Sequence, residues 1–328
     1  MRIAALVEPG RFEIEETVAP VPTDDEVLVR VAACGVCGSD LDIWSGTVRL
    51  DAYPWHPGHE VSGTVELAGS AVADLGPGDP VATWVTARGF ADLVAVRAGH
   101  CARANGVPLE LALGEPLSCA VNAVDAANVA VGDDVVVIGA GFMGHLVHML
   151  AHLRGAAQVI VADVRDDALK RADSLGAAAT VNVLRDDLAG VVLARTGGVG
   201  ADVAFEVTGA QTALDALGPV TRTSGTIVIA GYHQGAPRSI PLGEWNWRAF
   251  HIVNGHVRDV PTILRGLRAG MRLVTTGRLS LEGLVTHRFP LELMMTHTFG
   301  LSDVDYAIKS VGGQGAPGAI HVSVLPWK

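Results

Sequence analysis

No stretch of this 328-residue sequence stays apolar for the roughly 20 residues a membrane-spanning helix needs, because Gly, Asp or His interrupts every candidate run. Basic clusters are missing as well. Lys and Arg number 24 against 35 Asp and Glu, a net charge of −11, which argues against nucleic acid or an anionic membrane as partner, since phosphate binding draws on concentrated positive charge. The four cysteines are too few for a disulfide framework and predict a reducing, cytoplasmic setting. The opening Met1-Arg2-Ile3-Ala4-Ala5-Leu6-Val7-Glu8-Pro9-Gly10 is too short in apolar residues for a signal peptide and reads as a first strand. An internal repeat, a low-complexity tract and a long linker are equally absent. Only 18% of the residues are charged and 49% are hydrophobic, enough to bury the cores of two domains or of one unusually large one.

What is present changes character along the chain. Up to about Arg103 the signals are short and β-like: Val27–Val31, Val61–Leu67, Val81–Val85 and Ala91–Val96, separated by turn residues such as Gly76-Pro77-Gly78-Asp79. After Glu115 an Ala- and Val-rich segment, Leu117–Asn128, reads as a helix leading out of this β-rich part. Strands at Asp134–Ile138, Val159–Ala162, Ala178–Val181, Ala201–Val207, Thr226–Ala230 and Phe250–Val253 then alternate with helical stretches. That alternation predicts a parallel sheet covered on both faces. Beyond about Gly270 the pattern changes again. A strand end at His287–Pro290, a helix over Ser302–Val311 and a closing strand at Ile320–Val324 predict a tail that packs back on the β-rich part.

Gly139-Ala140-Gly141-Phe142-Met143-Gly144 follows directly on the strand ending at Ile138 and opens an apolar helix. In that context the first glycine permits a tight turn, the second lets backbone approach a pyrophosphate, and the third lets helix and strand pack closely. The helix N-terminus offers N–H donors to phosphate. Asp163 ends the next strand, where a carboxylate accepts hydrogen bonds from ribose hydroxyls and repels a 2′-phosphate. This favours NAD over NADP, although Arg165 nearby is the kind of residue that tolerates a 2′-phosphate. As a plain structural element Asp163 would be a helix N-cap.

Upstream lies a second kind of chemistry. Cys37-Gly38-Ser39-Asp40 and Gly58-His59-Glu60 supply a thiolate, an imidazole and a carboxylate, the three side-chain types that hold a catalytic zinc ion. A metal that polarises an oxygen, beside a carrier that moves a hydride, is most of a dehydrogenase. Cys34 and Cys37 also form a Cys-x-x-Cys pair. No second pair completes a zinc site of that type, so Cys34 reads as structural.

The run from Gly58-His59-Glu60-Val61-Ser62-Gly63 to Gly69 and Val72, together with Cys37-Gly38-Ser39-Asp40, Gly78-Asp79, Glu115-Pro116-Leu117-Ser118 and the Gly139 turn, resembles the zinc-containing alcohol dehydrogenases of the medium-chain dehydrogenase/reductase superfamily. The resemblance spans essentially the whole chain and is nearest in motif to the sorbitol and polyol dehydrogenase branch. It implies an α/β protein: a doubly wound Rossmann sheet (residues 119–270) plus a mostly β, GroES-like catalytic domain (residues 1–118 and 271–328). It further implies Cys37 and His59 as zinc ligands, with Glu60 in direct contact or just outside. The remaining ligand stays open between Glu115 and Cys119. Ser39 matches the hydroxyl that starts a proton relay. Val207 and Thr208, in Glu206-Val207-Thr208-Gly209, and Gly231 are expected to line the cofactor cleft.

Two departures from the family qualify this. Only Cys101 stands where relatives place four cysteines around a structural zinc, so a single catalytic zinc is expected. Asp42 occupies the position that is often a relay histidine. The implied reaction transfers hydride between a secondary alcohol (polyol, sugar, cyclitol or amino alcohol) and NAD, giving the ketone. A homodimer or homotetramer joined through the Rossmann sheet edge is expected. Trp44 and Trp55 are candidate pocket walls, and Trp84 is as well suited to a core. A zinc-free quinone or enoyl-type reductase, or a non-enzymatic NAD-binding protein, are the competing readings, and both predict a damaged metal site.

Overall fold

β-branched residues in alternation build the first part of the chain. The computed structural model describes residues 1–290 and 321–327, so the expected helix at Ser302–Val311 lies outside the described residues. A hairpin of β1 (Arg2–Glu8) and β2 (Arg11–Glu16) precedes β3 (Glu26–Gly35), the short helix α1 (Gly38–Trp44), β4 (Glu60–Ala68), β5 (Pro80–Thr83), β6 (Leu93–Arg97) and β7 (Cys101–Arg103). Helix α2 (Gly114–Ala127) follows. Near the other end, β14 (Val285–Pro290) and β15 (His321–Leu325) extend the same sheet in the order β14-β15-β3-β4-β5-β7, with β6 pairing β3 on the side. Its core is dominated by valines (Val27, Val29, Val61, Val65, Val322, Val324), whose branched side chains suit a pleated surface. Trp44 belongs to this core and Trp55 packs against it, while Trp84 meets His100 edge-on at 5.0 Å.

Two registers in this sheet matter later. β3 and β4 run antiparallel with Gly35 opposite Glu60 and Cys34 opposite Val61. β15 pairs β3 with Ser323 opposite Gly35, and Val36 N–H donates to Val322 O at 2.8 Å. The C-terminal strand is thereby laid beside the segment that carries Cys37.

The second unit is a parallel six-stranded sheet in the order β10-β9-β8-β11-β12-β13. Its strands are β8 (Asp134–Ile138), β9 (Gln158–Asp163), β10 (Ala179–Asn182), β11 (Ala201–Glu206), β12 (Thr221–Ile229) and β13 (His251–Asn254). The helices between them are α3 (Phe142–Arg154), α4 (Asp166–Ser174), α5 (Leu188–Arg195), α6 (Gln211–Val220) and α7 (Leu242–Trp247). Strand order reverses between β8 and β11, which is where a doubly wound sheet opens a crevice for a dinucleotide.

The chain divides into two compact units, Met1–Ser118 with Leu264–Lys328, and Cys119–Ile263. The return to the first unit falls at Leu264, inside α8 (Val260–Thr275), ahead of the expected 271. Gly270, within that helix, allows a close approach: a Cβ there would lie 2.6 Å from Leu117 Cγ. Likewise α2 begins at Gly114, ahead of the expected Leu117, because Pro116 sits in the first turn where its missing N–H costs no helical bond.

Helix α3 buries two histidines, His145 and His148, each 0% exposed, with no hydrogen-bond partner at any ring nitrogen among the described residues. Burial drives the ring of His145 down to about 4, helped by Arg171 and Arg165, and that of His148 to about 3, helped by His152 and His145. Both values lie below the unfolded 6.5, so the unfolded chain binds more protons between the two and stability falls as pH drops through that window. The expected slope is about 1.4 kcal/mol per pH unit for each ring. Urea unfolding in metal-free buffer between pH 7 and 5 measures it, and His148→Leu is expected to flatten the dependence.

Candidate functional site

The metal-type residues are delivered by three adjacent pieces of backbone. Cys37 precedes α1 directly, and its N–H donates to the Asp40 carboxylate at 2.9 Å, which fixes the first turn. Gly58 leads into His59 with φ +96, and a Cβ there would lie 2.5 Å from Phe90 N, so only glycine makes this turn. Glu60 is the first residue of β4, opposite Gly35. One ligand atom each from Cys37, His59 and Glu60 lies within 4.8 Å of the others, the sole such group of three or more among the described residues.

The electrostatics are those of a crowded anionic cluster. Burial lifts the Cys37 thiol above its ordinary value, against the hydrogen bond with His59 that lowers it. Burial alone would lower His59, but the Asp40 charge, the contact with Cys37 and the charge of Glu115 carry the ring well above its ordinary value. Asp40 is 5% exposed, and its Oδ1 lies 3.7 Å from His59 Nδ1. Burial would raise Glu60; His321, whose Nε2 stands 2.9 Å from Glu60 Oε2, outweighs that and holds the carboxyl below its usual range.

Of the expected ligands, the structure groups Cys37, His59 and Glu60, and Glu115 and Cys119 stand outside that trio. Glu115 is half-buried in the first turn of α2, within electrostatic reach of His59. Cys119 lies one turn further along α2, is exposed, and belongs to the second unit. Ser39 and Asp42 lie on α1, three residues apart and hence on one face of that helix, both half-buried; burial raises the Asp42 carboxyl. Cys101 is a buried thiol pushed up to about 12 by burial.

In the second unit Gly139 has φ +112, and a Cβ on Gly144 would lie 1.8 Å from Gly139 O, so strand and helix meet at van der Waals distance. A Cβ on Gly141 meets nothing within 4 Å, which leaves the approach to the α3 N-terminus, with Phe142 and Met143 in its first turn, open for a ligand. Asp163 takes up two roles: Oδ2 accepts from Ala140 N–H at 2.6 Å, and Oδ1 accepts from Arg165 N–H at 2.8 Å and from Arg165 Nε at 3.3 Å. At the ends of β11 and β12, the fully buried Glu206 gathers Thr208 N–H and Oγ1 at 2.6 Å, Gly209 N–H at 2.8 Å and His233 Nε2 at 2.8 Å. Val207 and Thr208 thereby lie against Gly139, and Gly231 packs on Glu206, Thr208 and Gly209.

Two family models match the chain: the alcohol dehydrogenase GroES-like domain over residues 23–104 and the zinc-binding dehydrogenase domain over residues 143–261. Sorbitol dehydrogenase 1 of Saccharomyces cerevisiae is 31% identical over an alignment of 329 positions, covering 86% of this chain and 89% of that protein. The chain belongs to the zinc-dependent alcohol dehydrogenase family. D-arabinitol dehydrogenase 1 of Uromyces fabae is 28% identical over 313 residues, 85% of this chain and 88% of the relative. The crystal structure of a zinc-binding dehydrogenase from Sinorhizobium meliloti 1021 bound to NADP superposes with a TM-score of 0.81 at 26% identity, covering 99% of both chains.

Like the rest of this alcohol dehydrogenase family, the chain is an oxidoreductase acting on CH–OH groups, built as a GroES-like unit plus a Rossmann unit. A thiol, an imidazole and a carboxylate held in reach of one another fit a tetrahedral zinc with one position left open. Two residues escaped the sequence reading of ligands. Asp40 was legible as the acid three residues after Cys37 but gained its place beside His59 only in the fold. His321 sits at the far end of the chain, with no local motif to mark it. No helix among the described residues is long and apolar enough to cross a membrane.

Asp40 caps the turn that carries Cys37 and places its charge 3.7 Å from His59 Nδ1, so Asp40→Asn is expected to weaken the zinc affinity of the Cys37, His59 and Glu60 cluster about 10–100-fold, the usual effect of losing a carboxylate behind a candidate histidine ligand. Competition with a chromogenic chelator measures it, and Asp40→Glu is expected to restore part of the loss.

Proposed function

We propose that this alcohol dehydrogenase oxidises a secondary alcohol of the polyol, sugar, cyclitol or amino alcohol class to the ketone with NAD, using one zinc held by Cys37, His59 and Glu60. The grouping of these three side chains within 4.8 Å is the observation that carries the reading. Zinc supplies a Lewis acid that stabilises negative charge on the substrate oxygen, and NAD supplies the hydride acceptor. Everything else is the work of this chain. Ser39 takes the hydroxyl proton and hands it along α1 to Asp42, whose half-buried carboxylate lies on the same helix face and passes it to solvent. Glu115 lies within electrostatic reach of His59 and would offer a polar contact to a substrate rich in hydroxyls. The curated relatives named for sorbitol and D-arabinitol support that substrate class.

Asp163 supports the preference for NAD. It already bonds the glycine turn through Ala140 and draws the Arg165 guanidinium to itself, which withholds that cation from a 2′-phosphate. The opposing precedent is the Sinorhizobium meliloti neighbour bound to NADP. The exposed edge strand β13, with Ile252 at 47% and the nearby Trp247 at 88% exposure, supports a dimer through the Rossmann sheet edge. The four cysteines, none of them in a disulfide, suit a reducing cytoplasm.

Metal analysis followed by a polyol and alcohol panel, read as NADH formation, tests the reaction. One zinc per chain is expected, and Cys37→Ala is expected to abolish both zinc and turnover; full activity in zinc-stripped protein would overturn the reading. For the cofactor, Asp163→Ala is expected to raise the NADP-to-NAD ratio of kcat/KM at least tenfold by releasing Arg165. An unchanged ratio would remove Asp163 as the determinant.

A further inference from the structure

The helix that follows the glycine turn carries His145, His148 and His152 in the sequence His-Leu-Val-His-Met-Leu-Ala-His. Spacings of three and four residues put all three on one stripe of α3. His148 is 0% exposed, and among the described residues neither of its ring nitrogens has a hydrogen-bond partner; Nε2 of the half-buried His152 has none either. A buried imidazole left without partners is costly, and natural cores almost always satisfy such groups through protein, water or an ion. Nothing in the dehydrogenase chemistry uses these rings.

Their mutual geometry suits an ion. The His148 and His152 ring centroids are 4.9 Å apart and the rings are tilted by 57°. Two imidazoles sharing one metal at a nitrogen distance of ~2.0–2.1 Å place their ring centroids about 5 Å apart. The i,i+4 spacing is the one by which paired helical histidines grip zinc in H-E-x-x-H metalloproteases, but Met149 stands where their general base would be, so this pair binds without hydrolytic machinery. At the other end of the stripe, Arg171 and Arg165 bear on His145 and repel a cation. The His148–His152 end is therefore the favoured one, and His152 is only half-buried.

We propose that His148 and His152 form a second, non-catalytic metal site on α3, taking a late first-row divalent ion of the nickel, copper or zinc class through two imidazole nitrogens, with water completing the shell. Burial keeps His148 neutral down to a pH of about 3, so its lone pair is free for a metal across the physiological range. Such a clip would staple the third turn of α3 and thereby stiffen the helix whose first turn meets the dinucleotide phosphates.

Nickel binding to the zinc-loaded, full-length protein tests this, with stoichiometry from equilibrium dialysis and metal analysis at pH 7. The wild type is expected to bind one more equivalent of Ni2+ than His148→Leu/His152→Gln, a difference from which the zinc centre and the exposed Cys119 cancel. His152→Gln alone, at a half-buried position that should tolerate it, is expected to weaken that equivalent at least tenfold by breaking the chelate. Thermal unfolding of the wild type, but not of His152→Gln, should shift upward with added Ni2+. Equal stoichiometry in the wild type and His152→Gln with no difference in affinity would overturn the proposal, even if the double variant fails to fold. Failure of the catalytic assignment would instead show as lost zinc dependence of turnover, with the nickel difference intact.

Discussion

The site is organised by acids buried close together, whose ionised forms protein alone balances poorly. Cys37, Asp40, Glu60 and Glu115 all bear on His59 or on one another inside a poorly hydrated part of the β-rich unit. Burial raises the Cys37 thiol and the Asp40 carboxyl, as expected of acids that lose their solvation. The two imidazoles, His59 and His321, offset only part of that charge. A divalent cation, as proposed for zinc, would resolve the conflict, and as a metal shell the same side chains would be ordinary. Much of the first unit follows from bringing these groups together: the glycine turn at Gly58, the capped start of α1, and a sheet order that places the last strand against β3.

The second unit answers a different constraint. A dinucleotide phosphate needs backbone donors at a helix start and nothing in the way, so Gly139 and Gly144 pack against each other while Gly141 keeps clear space. Around this turn the buried acids act as braces. Glu206 ties Thr208, Gly209 and His233 together, and Asp163 ties Ala140 to Arg165. Neither carboxylate is free-standing. Their charges are spent mostly on fixing backbone, and the ribose contact expected of Asp163 is an addition to a role it already has.

Periodicity made most strands legible: β3, β4, β8, β9 and β11 all begin or end within a few residues of the alternating or continuous apolar runs. Short elements were not. Helix α1, at seven residues, offers too few turns for a helical period to register, and yet it carries Ser39, Asp40 and Asp42. Motifs with fixed local spacing, the Cys37 run, the His59 run and the Gly139 turn, were the parts of the site that could be read directly. Trp44, in contrast, lies in the same neighbourhood of sequence and is buried in the core, with the half-buried Trp55 packed against it.

Taken alone, the sequence determined the family, the two kinds of unit and the chemical types of the candidate ligands, because these rest on residues close together in the chain and on backbone requirements that only glycine meets. Tertiary structure decided which candidates meet. The β3–β4 register sets Glu60 against Gly35, and the β15–β3 register brings His321 from the far end of the chain to within 2.9 Å of that carboxylate. A Cβ on Gly35 would sit 1.9 Å from Glu60 Oε2 and 2.6 Å from His321 Nε2, so the glycine is what gives the pair its room. Strand pairing between distant segments depends on the whole sheet rather than on local spacing, and for that reason Asp40 and His321 emerged only with the fold.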